Sequence, residues 1–373
     1  MLKRLMNKNF LNFKPYEPGK PIDEVSRELK IRNIIKLASN ENPFGPSPKA
    51  VQAAKRALLS SHVYPDGSCY HLQKKLASKL GVKPGNIIFG NGSNELVELI
   101  MSVFVGKNEN IIISRHAFVV YRLCAKQKNI KFIEAPMLNY THDLKFMAKA
   151  VTKKTKLIFV ANPNNPTGTI NTAGELDQFI QSLPGDVILV VDEAYCEFVQ
   201  SKQYPKTLRY IRSRKNIILL RTFSKIYGLA GLRIGYAIGS ERLVKPLHLA
   251  RQPFNVNSIA QIAASAAIDD NAFVRKTLLN NKTQMDYLVC ELEKLDLKVI
   301  PSQANFILIN VRQNGRRVFK RLMSRGVIVR PMDEYGFSNM IRVTVGLVNQ
   351  NKKFIRALKQ VLKDCTDRKG RLL

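Results

Sequence analysis

Cysteine is scarce and scattered in this chain of 373 residues. The five, Cys69, Cys124, Cys196, Cys290 and Cys365, form no CxxC pair and stand at no zinc-binding distance from a histidine, which argues against a zinc module or a disulfide scaffold. An odd, dispersed set suits a reducing compartment, so a cytoplasmic location is expected. No apolar run is long enough to span a bilayer; the longest, such as residues 187–191, have the length of a strand, and a soluble protein is expected. Acidic residues are also few, 28 against 60 Lys and Arg, for a formal net charge of +32. That excess raises nucleic acid as a partner, yet the basic residues are spread along the whole chain and no zinc finger or RNP-like aromatic strand accompanies them. Small anionic substrates fit the same field. Residues 1–14 are basic without acidic residues, but are poor in serine and lack the apolar block of a signal peptide, so they read as a basic N-terminal arm.

What is present is a chain long enough for two domains. Between residues 87 and 238 short β-rich runs (87–89, 111–113, 131–134, 157–161, 187–191, 217–221 and 234–238) alternate with helical patterns, which predicts an α/β fold with a mostly parallel central sheet flanked by helices. Residues 258–294 read as helical. Strands at 306–311, 327–330 and 341–345 and helices near 316–325 and 352–363 then predict a smaller α+β domain. The expected division is 41–255 for the large domain, with 1–40 and 256–373 forming the small one and its N-terminal arm. No linker and no internal repeat mark the boundary.

The chemistry concentrates at the ends of these strands. Lys225 closes Arg221-Thr222-Phe223-Ser224-Lys225 after an apolar run, and Arg233 follows eight residues later. A strand ending in two hydroxyl residues and a lysine offers an amine for Schiff-base formation, with donors and a guanidinium for a phosphate beside it. Asp192 ends the run 187–191, so its carboxylate is expected at the ligand-binding edge of the sheet, where a protonated pyridine nitrogen would pair it. The competing reading is an aspartate that caps the following turn. Asn162-Pro163-Asn164-Asn165-Pro166-Thr167-Gly168 is a rigid turn whose geometry does not itself require Asn165; an amide aimed at a phenolic oxygen would, and Tyr195 could donate to the same oxygen. Gly90-Asn91-Gly92-Ser93-Asn94 joins a strand to a helix N-terminus, a ready phosphate cradle, whereas a dinucleotide turn would need a third glycine where Glu95 stands. Arg342 lies within a strand and Arg330 ends a neighbouring run; as a pair they would clamp an anion. Together these residues point to pyridoxal 5'-phosphate.

The same segments resemble the fold-type I pyridoxal-phosphate aminotransferases, through Asn-Pro-Thr-Gly at 165–168, Asp-Glu-Ala-Tyr at 192–195 and Ser224, Lys225 and Arg233. Residues 15–21, 39–48, 64–67 and Arg251-Gln252-Pro253-Phe254-Asn255-Val256-Asn257 narrow the resemblance to the histidinol-phosphate aminotransferases, over residues 16–362. The resemblance implies that Lys225 holds the cofactor aldehyde, Asp192 the ring nitrogen, and Asn165 and Tyr195 the phenolic oxygen. It implies that Gly92, Ser93, Asn94, Thr222, Ser224 and Arg233 surround the phosphate. Phe118 matches the aromatic residue stacked on the ring, where many relatives carry Tyr. Tyr64 matches a residue reaching the phosphate site of the other subunit, which implies a homodimer. Tyr16, Asn42, Arg330 and Arg342 match substrate positions. The implied reaction is amino transfer between L-histidinol phosphate with 2-oxoglutarate and imidazole acetol phosphate with L-glutamate, in histidine biosynthesis, with no metal. An aromatic amino acid aminotransferase or a threonine-phosphate decarboxylase of the same fold is the near alternative, and a basic nucleic-acid-binding protein the distant one.

Overall fold

The inner strands of the central sheet are largely apolar on both faces. The structure, a computed structural model, describes residues 5–6, 10, 19–213 and 216–364. Seven strands form the larger sheet: β1 (Ile87–Gly90), β2 (Asn110–Ser114), β3 (Lys131–Ala135), β4 (Thr155–Ala161), β5 (Ile188–Asp192), β6 (Ile217–Thr222) and β7 (Gly235–Gly239). Their order is β1-β7-β6-β5-β4-β2-β3. Side chains alternate between two cores, one on each face. Ile158, Val160, Leu189 and Val191 join one; Leu157, Phe159, Ile188 and Val190 join the other. This is why the runs read as continuous hydrophobics rather than as alternating ones. Each fully buried side chain of this size contributes about 1.5–3 kcal/mol.

The contiguous strands β6, β5, β4, β2 and β3 pair in parallel, with Ala161 beside Asp192 and Asp192 beside Leu220. Their C-terminal ends therefore lie at one edge. β7 is the exception: it runs antiparallel to both β1 and β6. It sits inside the sheet, not at its margin, and the margins are β1 and β3.

The smaller sheet has the order β8-β9-β11-β10, from Lys298–Ile300, Phe306–Asn310, Arg330–Pro331 and Met340–Thr344 as β8 to β11. Its core gathers Ile307, Ile309, Ile341, Val343, Phe354 and Leu358 with Leu37 from the N-terminal part. The run read as one strand at 327–330 divides. Val327–Ile328 pairs in parallel with Ile35–Lys36, and Arg330–Pro331 pairs with Arg342 and Ile341. A change of partner at Val329, invisible in an apolar run, explains the break. The stretch 258–294 is also two helices, Ser258–Ala267 and Asn271–Glu293, the second capped by the Asp270 side chain on the Phe273 amide. The first of them, expected with the small domain, buries Ala260, Ala263, Ala264 and Ala267 in the core beneath the larger sheet. Among the described residues, no helix is long and apolar enough to cross a membrane.

Candidate active site

The C-terminal edge of the large sheet opens into a cavity of about 210 Å³, closed on its far side by the smaller sheet. Lys225, Asp192, Tyr195, Asn165, Phe118, Ser93, Asn94, Thr222, Ser224, Arg233, Arg330 and Arg342 all line it. Sequence separation between the first and last of the lining side chains exceeds two hundred residues, so the fold, not local sequence, assembles the set.

Asp192 is 5% exposed. Its Oδ2 accepts from the Tyr121 hydroxyl at 2.6 Å and its Oδ1 from the Ala194 amide at 3.1 Å. The capping alternative is thus partly realised, since the Ala194 contact is a local turn bond. It uses one oxygen only. Among the described residues no cation pairs with this carboxylate, and burial pushes its pKa up to about 6. A buried acid in this condition fits a cationic ring nitrogen, which would supply the missing charge. Tyr121 was not singled out from sequence. It lies one helical turn beyond Phe118 and packs edge-on against it, and also stacks on Phe159 at 4.8 Å. A tyrosine on an apolar helix face carries no sequence mark of what its hydroxyl meets.

Lys225 places Nζ 3.1 Å from the Ser39 carbonyl. Burial, and then the positive charge of Arg342, lower its pKa to about 7. The amine is therefore substantially neutral and nucleophilic near neutrality. The Tyr195 hydroxyl accepts from Asn40 Nδ2 at 3.0 Å. Asn40, reached across 155 residues of chain, is a second partner that sequence pattern did not reveal. Arg342 donates to Asn165 Oδ1 and, at 2.7 Å, to the Ala38 carbonyl. Because the amide oxygen of Asn165 is taken, its NH₂ is left to face the cavity.

The turn expected to cradle a phosphate is shaped by Gly92, whose φ is +77°. Gly92 itself does not line the cavity: a Cβ here would lie 2.3 Å from Arg233 Nη2, so the absent side chain is what lets the guanidinium lie across the turn. The Ser93–Phe104 helix begins there and offers its free N–H groups. Thr222 Oγ1 accepts from the Ser224 amide at 3.0 Å, tightening the turn that delivers Lys225.

Arg330 and Arg342 are directly paired in register across β10 and β11, each 6% exposed. Arg330 also bonds Glu334 at 2.6 Å. Besides Gly92, two of the expected residues lie outside this cavity. Asn42 turns its NH₂ to the Ile226 carbonyl at 3.0 Å and the Thr277 hydroxyl at 3.3 Å, fixing the backbone beyond Lys225. Tyr64 is 81% exposed and stacks on Phe254 at 4.9 Å. Tyr16 falls outside the described residues. Among those described, no cluster of His, Cys, Asp or Glu could hold a metal ion.

Comparison with known proteins gives this geometry a context. The model of the family "Aminotransferase class I and II" matches residues 32–358. A histidinol-phosphate aminotransferase of Moorella thermoacetica is 47% identical over 94% of this chain and 92% of its own length. One from Caldicellulosiruptor saccharolyticus is 47% identical over 93% and 97%. The crystal structure of histidinol-phosphate aminotransferase from Sinorhizobium meliloti in complex with pyridoxal-5'-phosphate superposes with a TM-score of 0.86 at 28% identity, covering 95% of this chain and 98% of that one. The chain belongs to the class I and II aminotransferases and, within them, to the histidinol-phosphate aminotransferases.

Proposed function

We propose that this protein is a pyridoxal 5'-phosphate-dependent enzyme that transfers the amino group between L-histidinol phosphate with 2-oxoglutarate and imidazole acetol phosphate with L-glutamate, a step of histidine biosynthesis. The observation that carries the reading is the pairing, in one cavity, of a lysine amine at depressed pKa and a cation-seeking buried carboxylate with two buried arginines opposite them. When bound, pyridoxal phosphate supplies an aldehyde to hold the amine and an electron-withdrawing ring. Asp192 keeps the ring nitrogen charged. Asn165 and Tyr195 donate to the phenolic oxygen, and Phe118 covers one face of the ring. Ser93, Asn94, Thr222, Ser224 and Arg233 hold the phosphate, on the cradle that Gly92 leaves open.

Lys225, its amine close to neutral at pH 7, would be the base that takes the proton from the substrate Cα. Arg342 and Arg330 present planar donors that serve a phosphate ester in one half-reaction and a dicarboxylate in the other. Tyr16 belongs to the same anion end. The matching charge of the two substrates explains how one pocket serves both.

The working form in this reading is a cytoplasmic homodimer in which Tyr64 reaches the phosphate of the neighbouring subunit. Its exposure beside the exposed Phe254, and the exposure of Arg233 in the single chain, support that role. We divide the chain functionally into a cofactor-binding portion around the large sheet and a smaller portion, built from the N-terminal part and the C-terminal sheet, that carries both substrate arginines.

The test is direct. Purified protein supplied with the cofactor shows a visible absorption band that Lys225→Ala removes. L-histidinol phosphate, phenylalanine and threonine phosphate are then each assayed with 2-oxoglutarate. Glutamate from histidinol phosphate alone supports the reading, and glutamate from phenylalanine but not from histidinol phosphate refutes the substrate.

A further inference from the structure

The segment Arg251 to Asn257 contributes none of the side chains that line the cavity, yet it touches the strand and helix that flank the glycine turn at 90–94 and the backbone beside Arg233. Asn255 Nδ2 donates to Glu95 Oε2 at 2.7 Å and to the Phe89 carbonyl at 3.3 Å. The same Glu95 oxygen accepts the Asn91 amide, inside the glycine turn that forms the cradle. Arg251 Nη1 donates to Asn255 Oδ1 at 2.9 Å and to the Gly67 carbonyl. Phe254, held at φ +54°, lays its ring on Tyr64 with an interplanar angle of 22°. Gln261 Nε2 secures the Asp66 carbonyl at 2.9 Å. Asn257 Nδ2 donates to the Leu232 carbonyl at 3.2 Å, next to Arg233.

One short stretch therefore grips two things at once. On one side is the turn that holds the phosphate in its own subunit; on the other is the loop of residues 64–67. We propose that Arg251, Phe254 and Asn255 are positioning residues that couple the two cofactor-phosphate sites of the homodimer. This rests on the reading that Tyr64 serves the partner subunit. Ordering of one phosphate turn through Asn91, Glu95 and Asn255 holds Arg251 on Gly67, which sets the loop from which Tyr64 extends to the neighbouring site. A cationic guanidinium on two carbonyl-type oxygens and a carboxylate shared by an amide side chain and a backbone amide make a stiff connection, because hydrogen bonds to charged groups are shorter and stronger than neutral ones. Local order at one site is thereby felt at the other, which is what a coupling free energy between sites requires.

Hybrid dimers test this. Each hybrid has one live site, because one subunit carries Lys225→Ala, and cofactor held at the live lysine is counted by borohydride trapping as its concentration is varied. In the first hybrid Asn255→Ala is on the live subunit; in the second it is on the Lys225→Ala subunit, so the live site keeps an intact phosphate turn and receives Tyr64 from the altered chain. The expected result is weaker cofactor retention in both hybrids, by about fivefold in the second, the lower end of couplings between sites. Loss in the first hybrid alone, or in neither, overturns the proposal. Asn255→Asp, which keeps the volume and removes the donor to Glu95, repeats the comparison with a conserved thermal midpoint as the check on folding. A third hybrid with Tyr64→Phe on the Lys225→Ala subunit separates the two readings. If it leaves the live site unchanged, or if light scattering finds single chains, the crossing role of Tyr64 fails and the coupling with it. If it weakens the live site while Asn255→Ala in the same place does not, only the coupling fails.

Discussion

Replacing Tyr121 with phenylalanine removes one oxygen from the whole site and leaves the ring that stacks on Phe159 in place. That oxygen is the donor to Asp192 Oδ2 at 2.6 Å, and the carboxylate keeps only the Ala194 amide when it is gone. A hydrogen bond to a charged group is worth about 1.5–3 kcal/mol, so the ionised form of Asp192 loses roughly ten- to a hundredfold in relative population. The sign follows from the environment: burial already raises the carboxyl to about 6 and the Tyr121 bond opposes that rise, so its loss moves the pKa further up. Only the ionised carboxylate pairs with a protonated ring nitrogen. Cofactor affinity in the parent should therefore fall as pH drops through about 6, and in Tyr121→Phe the fall should begin at higher pH. At neutral pH the variant should bind the cofactor about tenfold more weakly. Fluorescence titration of cofactor-free protein across the range from about pH 5 to 8.5 measures both quantities. An unchanged affinity with an unchanged pH profile would refute the argument that Tyr121 holds Asp192 ionised.

The remaining predictions concern the amine, the anion clamp, the cradle and the ring face. The rate at which Lys225 takes up the cofactor should rise with pH around a midpoint near 7, the value to which burial and Arg342 lower it, and Arg342→Gln should move that midpoint upward in stopped-flow traces. The same variant should raise KM for the phosphorylated substrate by roughly ten- to a hundredfold, because a charge-assisted fork is lost. Gly92→Ala puts a Cβ 2.3 Å from Arg233 Nη2 at a φ of +77°, so it should weaken cofactor binding at least about tenfold in equilibrium dialysis, at a thermal cost of about 1–2 kcal/mol. Phe118→Ala should cost roughly two- to tenfold in cofactor affinity, as an aromatic contact of ordinary strength does, while Phe118→Tyr should leave it within about twofold.

Much of the site was legible because its residues sit where strands stop. Asp192 and Lys225 each follow an unbroken apolar run, and a polar residue at that boundary has few places to go except the sheet edge. Arg342 was legible for the opposite reason: a guanidinium inside an apolar strand demands a partner. Tyr121 and Asn40 were not, since each acts through one long-range hydrogen bond that leaves no periodicity behind. The place of Asn42 was hidden for a related reason. It lies beside the site, but its amide is consumed by the backbone of Ile226 and the hydroxyl of Thr277. In the fold, the strands of the large sheet followed from hydrophobic runs, but the short strands Ile35–Lys36 and Lys298–Ile300 did not, nor did direction and partner. Residues 327–330 change sheets midway, and residues 258–270 pack on alanines whose small size suits a close helix contact and gives little hint of which core they join.

The reversed strand β7 has a consequence for where Lys225 and Arg233 emerge from the sheet. Thr222 and Gly235 face each other directly across β6 and β7, so the excursion that carries both Lys225 and Arg233 starts and finishes at neighbouring rungs of the ladder. Were the fifth and last residue of β7 the one nearest that edge, Gly235 would lie about 14 Å down the ladder and Arg233 would emerge beyond it, at the opposite end of the strands. Because the strand turns back, Lys225 and Arg233 leave the sheet from adjacent rungs at one edge, within a single clasped excursion between Thr222 and Gly235.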